Sequence, residues 1–444
     1  MKSICIIVQS YYEVDIRVRR KAEALVAAGH SVDVLALRQS STSPKAFDLN
    51  GVSVHTIALG KKRGSLVRYF FEYFGFLIWA FFKLFRLMRK RPYAIVDVNN
   101  LPDFLVFAAV YAKWKGAKVV FDMHEITPEF YICKYGIGEN SWMVRLLKRI
   151  EKASFDFADH VIAINEPILE LLASRGLPLS KCTVIMNSVD EAMFKKGAAA
   201  VAGGISPRAG EGFTMMYHGT LTRIYGLDIA IEAFARVHKQ MPGAEFLILG
   251  DGPEKNSLES LCRQHGLMEK VRLLGFVQPK EVRQWLSRCD IGVLPTRRDI
   301  FLDYSFSNKL PEYIIMGKGV IVSRLKTIQY YFTSKALAYF EPNNPEDLAA
   351  QMLRLYQDRG LSMSLALQAK KEYAPICWEV MKERYLRSMN QLLGVETRVV
   401  EKTVETAVET TVETTVETAV ETRFPPPSPG VERKESRRVA EKLG

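Results

Sequence analysis

Short continuous apolar runs, spaced by amphipathic stretches, set the rhythm of the first half of the chain. Residues 4–8 form such a run, followed by helical periodicity over 17–28 that stops at Gly29, then by a second run at 31–37. Further runs at 95–98, 118–121 and 160–164 read as strands with helices between them. Runs this short, apolar on both faces and rich in Val and Ile, fit strands buried within a parallel sheet. The second half repeats the scheme: strands at 214–218, 245–249, 271–274, 291–294, 320–322 and 338–340, with helices near 226–240, 255–265, 279–287 and 308–316. Alternating strand and helix implies βαβ units, and so two α/β domains, each a doubly wound parallel sheet. Such sheets bind ligands at the carboxyl ends of their strands, so the cleft between the domains is the expected active site.

Residues 195–212, rich in Gly and Ala and without apolar periodicity, read as a linker or surface loop. We place the first domain at 1–186, the second at 187–375, a closing helix at 376–392 and a low-complexity tail at 393–444. Within the tail, 403–422 repeats Val-Glu-Thr-Ala or Val-Glu-Thr-Thr, and prolines 425–427 and 429 follow. Valine and threonine are poor helix formers and a four-residue repeat matches no heptad, so disorder is expected, with a weakly helical interaction segment as the alternative.

The 444 residues carry a net charge of +12, and the tail does not supply it. Its ten acids and eight bases leave it at −2, so the body carries about +14 and should meet an anionic partner. The six cysteines are scattered without a C-x-x-C pair, which excludes a zinc knuckle or disulfide framework and suits a reducing cytoplasm. Gln9 interrupts the first apolar run too early for a signal-peptide core.

Between Arg68 and Met88 aromatics crowd together, flanked by Lys61, Lys62, Arg63 and Arg68 on one side and Lys83, Arg86, Arg89, Lys90 and Arg91 on the other. The uninterrupted apolar core, 73–82, is about half a membrane span. A helix over about 66–90 with so much apolar circumference predicts contact with an anionic membrane surface through residues 61–91; a core helix with a basic outer edge is the plainer alternative. Nucleic acid is not the expected partner, because the aromatics form one block rather than alternating with Lys and Arg.

The chemistry concentrates around Asn308-Lys309-Leu310-Pro311-Glu312. A helix beginning there offers N–H groups and partial positive charge to a phosphate, Lys309 adds a full charge, and Glu312 one turn on can grip sugar hydroxyls. Taken alone, the same spacing fits a solvated Lys–Glu pair. Other polar turns end strands: Tyr217-His218-Gly219-Thr220-Leu221, then Arg223 and Tyr225-Gly226; Leu249-Gly250-Asp251-Gly252; Leu274-Gly275-Phe276-Val277. With Asp15-Ile16-Arg17-Val18-Arg19, Asp122-Met123-His124-Glu125 and Asn187-Ser188-Val189-Asp190, the set resembles a GT-B glycosyltransferase of family 4 over about residues 1–390.

That resemblance implies a GT-B fold of two Rossmann-like domains and a retaining transfer of sugar from a nucleotide-sugar donor, by front-face attack with the donor phosphate as base. Glu312 would hold the ribose, and Arg223 and Lys309 the diphosphate, with Asn308 at the same helix start. The Phe276–Val277 turn would lie against the base, and Gly219 and Gly250 would allow close backbone approach. His124 would reach toward the transferred sugar, and the Asp15–Arg19 turn would face the cleft. No metal or cofactor is expected. The acceptor would be lipid-linked or a glycan, in bacterial cell-surface glycan synthesis on the inner face of the cytoplasmic membrane. Two departures stand out: Tyr304 occupies the first acid of E-x7-E, with Asp303 the nearest substitute, and Tyr225 replaces a lysine. A sugar-nucleotide epimerase on the same architecture, or a non-catalytic membrane scaffold, are the alternatives.

Overall fold

The computed structural model describes residues 1–40, 42–59, 66–191 and 212–395. Met1–Arg398 form one compact unit holding two sheets. The first contains β1 (Ser3–Tyr11), β2 (Ser31–Leu37), β3 (Ala46–Leu49), β4 (Val52–Ile57), β5 (Ile95–Asn99), β6 (Lys118–Met123), β7 (His160–Ala163) and β8 (Cys182–Val184), ordered β3-β4-β2-β1-β5-β6-β7-β8. All pairings are parallel except that of β3 with β4. The second contains β9 (Phe213–His218), β10 (Ala244–Leu249), β11 (Val271–Gly275), β12 (Ile291–Leu294), β13 (Gly319–Ser323) and β14 (Ala338–Phe340), parallel throughout and ordered β11-β10-β9-β12-β13-β14. In each sheet the order reverses beside the first strand, at β1/β5 and at β9/β12, which opens a crevice at the strand ends.

The hairpin β3–β4 was not expected from the apolar runs. Its signal is local: Val52–Ile57 alternates buried and half-buried residues, and Asn50 and Gly51 both take positive φ (52° and 81°) in the connecting turn. The last helix, Trp378–Leu392, returns to the first sheet, where Tyr385 Oη donates to Asp97 Oδ2 at 3.0 Å and the Arg20 guanidinium lies 4.6 Å from the Trp378 ring. Linker residues 192–211 and tail residues 396–444 lie outside the described residues.

The helix Leu66–Met88 has two apolar faces. Phe76, Ala80 and Leu84, four residues apart, are fully buried against the first sheet's layer, whereas Phe71, Phe74, Ile78 and Phe82 are exposed. Arg86, Arg89 and Lys90 continue the exposed side, while Lys61, Lys62 and Arg63 lie outside the described residues. No helix among the described residues is long and apolar enough to cross a membrane.

Candidate active site

A cavity of about 360 Å³ opens between the two sheets, lined by residues that follow the carboxyl ends of their strands. From the first half come Arg17, His124, Glu125 and Asn187; from the second, Tyr225, Asn308 and Lys309. Arg17, Asn187 and Asn308 also line an adjoining shallower depression with Ser10 and Asp15. Nearby, the halves touch: Asn165 Nδ2 donates to the Tyr304 carbonyl at 2.9 Å, and the Phe130 and Phe301 rings lie 5.5 Å apart.

His124 is held from behind. Its Nε2 lies 2.7 Å from Asn99 Oδ1, and Asn99 Nδ2 in turn donates to Asp97 Oδ1 at 3.4 Å. That amide orientation places the imidazole proton on Nε2 and leaves Nδ1, buried and without a partner, as an acceptor. Burial, with the charges of Arg17 and Lys21, holds the ring well below its usual pKa, so it is neutral. Asn100 fixes the backbone: its Oδ1 accepts from the N–H groups of His124 (2.7 Å) and Glu125 (3.2 Å), and its Nδ2 donates to the Glu125 carbonyl (2.7 Å). This support went unread in the sequence, although two asparagines directly after an apolar run are a polar strand end of the kind that marks such sites.

Arg17 is anchored by Asp15, with bonds of 3.1 and 3.2 Å, and Ser10 Oγ donates to the same carboxylate at 2.8 Å. These contacts hold Asp15 down at about 2 despite its burial. Burial raises Glu125 to about 7, with Arg17 opposing. The Glu125 carboxylate also raises the Tyr225 phenol of the opposite half, whose larger cause is burial.

In the second half, the helix Lys309–Ile315 is seven residues long, so its dipole is short and Lys309 carries most of the positive charge. The helix is positioned by Tyr313, whose hydroxyl donates to the Met216 carbonyl at 2.8 Å and whose ring occupies the space left by Gly292. Lys309 Nζ rests 4.0 Å from the Tyr225 ring centroid, and Tyr217 lies behind it at 5.6 Å. Burial lowers Lys309 to about 8, with Glu312 opposing, and burial raises Glu312 to about 7, with Lys309 opposing. His218 Nε2 sits 3.3 Å from Glu312 Oε2, but burial and the Lys309 charge push this imidazole down to about 3. The contact is therefore between a neutral ring and the carboxyl group.

The candidates thus separate into two groups. His124, Asn308 and Lys309 share the cavity wall; Glu312 and Gly219 stand behind Lys309. Arg223 is exposed on the turn Arg223–Tyr225, and the cavity wall takes Ile224 and Tyr225 from that turn instead. Phe276 is 72% exposed and Val277 packs against the core, away from this cavity. The glycines make close approaches of their own. A Cβ on Gly219 would strike the Lys309 side chain, and one on Gly250 the Gly219 carbonyl, so both close approaches are made within the protein. Asp303 does not replace the missing acid, because it accepts from Lys326 N at 3.2 Å and pairs with Arg298 at 3.4 Å.

Known proteins share this architecture. Residues 14–192 match the profile described as Glycosyltransferase Family 4, and residues 212–358 match that of Glycosyl transferases group 1. The phosphatidylinositol N-acetylglucosaminyltransferase gpi3 subunit of Schizosaccharomyces pombe is 23% identical over 344 residues, covering 76% of this chain and 68% of that protein. Among solved structures, sucrose-phosphate synthase from Thermosynechococcus elongatus aligns with a TM-score of 0.70 at 18% identity, over 89% of this chain and all (100%) of that one. HepE of Anabaena in complex with UDP-glucose aligns with a TM-score of 0.61 at 15% identity, over 88% and 100% of the two chains. Two matched profiles, one on each half, and a doubly wound sheet beneath each make this chain a glycosyltransferase of family 4 with the GT-B fold.

Proposed function

We propose that the protein is a retaining hexosyltransferase that moves a sugar from a nucleotide-sugar donor to a lipid-linked or polysaccharide acceptor in bacterial cell-surface glycan synthesis. The observation that carries this is the cavity with the neutral His124 on one wall and Lys309 on the other. A neutral polar ring suits the sugar and a cation suits the diphosphate beside it, as one nucleotide-sugar requires. Lys309 stabilises the negative charge that develops on the leaving nucleoside diphosphate, and the exposed Arg223 is a secondary contact. Glu312 takes the ribose hydroxyls. The bond from the anomeric carbon to the phosphate oxygen breaks, the acceptor hydroxyl attacks from the same face, and its proton leaves on the diphosphate. Closure of the halves excludes water from the reacting centre.

Peripheral binding to the inner face of the cytoplasmic membrane completes the proposal. The exposed stripe of Phe71, Phe74, Ile78 and Phe82, extended by Trp114 at 76% exposure and by Arg86, Arg89, Lys90 and Lys115, supports an interfacial helix on anionic lipid. That placement suits a lipid-linked acceptor.

The test is a thermal-shift and donor-hydrolysis screen of the protein against a panel of nucleotide-sugars. One donor should raise the melting temperature and be turned over, and Glu312→Ala should remove both effects. Folded protein that answers to no donor would favour the non-catalytic scaffold.

A further inference from the structure

Among the described residues that line the cavity, Glu125 is the only carboxylate. Family resemblance places an acid at 304, yet Tyr304 stands there, its hydroxyl facing Lys326 Nζ at 3.4 Å and its carbonyl taken by Asn165. Asp303 is engaged with Lys326 and Arg298. The donor half therefore presents no acid to the cavity, whereas the first half presents one from a backbone locked on both sides by Asn100. Arg17 acts on Glu125 through its charge while its guanidinium hydrogen-bonds Asp15. Lys309 and Tyr225 line the same cavity from the other half. A carboxylate opposite a lysine and a tyrosine face matches a polyol whose hydroxyls need an acceptor.

We propose that Glu125 binds hydroxyls of the transferred sugar, supplying from the first half of the chain the acid missing at Tyr304. The inference rests on the nucleotide-sugar reading above and adds a specificity residue to it. A donor whose sugar contact comes from the opposite half would be gripped by its sugar only when the halves are closed, which ties sugar selection to closure.

Calorimetric titration of the full chain tests this, with UDP-glucose, UDP-N-acetylglucosamine and GDP-mannose as probes beside UDP and GDP. Glu125→Gln, and Glu125→Ala as the fuller deletion, should leave nucleoside diphosphate affinity unchanged. The ratio of nucleotide-sugar to nucleoside diphosphate affinity should fall about tenfold, the loss of one hydrogen bond to a charged group. Equal losses for both ligand types would assign Glu125 a structural role and overturn the inference. So would an unchanged ratio, or its collapse in Asp303→Asn but not in Glu125→Gln. Each of these three results leaves the donor site standing. Wild-type protein that binds neither nucleotide nor nucleotide-sugar would remove the donor site and this inference together.

Discussion

The Lys309–Glu312 pair should write itself into the pH dependence of turnover. Donor binding needs Lys309 charged for the diphosphate and Glu312 ionised for the ribose. Burial moves the two toward each other, Glu312 up to about 7 and Lys309 down to about 8. The carboxylate form is lost as pH falls through the first value, and the ammonium form as pH rises through the second. The resulting kcat/KM profile is a narrow bell centred near pH 7.5, on which about three-fifths of the enzyme is in the active form, with activity about sevenfold lower at pH 6 and at pH 9. The two limbs are properties of the pair rather than of either residue. Glu312→Gln makes the assignment testable. It should leave only the Glu125 share of the acid limb, and because the Glu312 charge raises Lys309, the base limb should also move below pH 8. Initial rates with the selected donor, measured from pH 5.5 to 10 in constant ionic strength, read both limbs (the range brackets both groups by roughly two units). A base limb that stays in place or moves up in the Gln variant would refute the reasoning.

Four further outcomes follow from the same geometry. Lys309→Met should lower kcat/KM about 10- to 150-fold, the worth of a charge-assisted bond of about 1.5–3 kcal/mol. Arg223→Met, at an exposed position off the cavity wall, should cost no more than about fivefold, and steady-state kinetics ranks the two. Gly292→Ala would press a methyl group into the Tyr313 ring, its Cβ about 2.7 Å from ring carbons, and should destabilise the fold by about 1–3 kcal/mol in urea unfolding. Ile78→Glu with Phe82→Glu should abolish co-sedimentation with vesicles containing anionic lipid while leaving the melting temperature within about 2 °C, since both residues are more than half exposed.

The sequence alone located most strands to within a residue or two, and 31–37, 291–294 and 338–340 to the residue. Buried parallel strands are apolar on both faces, so they stand out as unbroken runs wherever the chain folds. The strands that escaped lack that signature. β3 and β4 are half-buried hairpin strands and alternate, and β8 is three residues long. Family motifs likewise pointed to several segments that line the cavity, because glycine and polar residues at strand ends are local features.

Which side chain of a motif faces the cavity was decided elsewhere. Glu125 and Asp303 each follow a recognisable motif position, but only packing turns one into the cleft and the other onto Arg298 and Lys326. Tyr225 replaces an expected lysine, and only the fold shows that its ring supports Lys309. Asn99 and Asn100 acquire their roles by meeting residues about 25 positions later in the chain. The helix Leu66–Met88 is apolar all round in sequence, and only the sheet beneath it decides that Phe76 is core and Phe71 is exposed. Local pattern determines what a segment becomes, because hydrogen bonding and apolar periodicity act over a few residues. What a side chain can do is set by the neighbours, burial and charge that distant segments bring to it, and those exist only once the chain has folded.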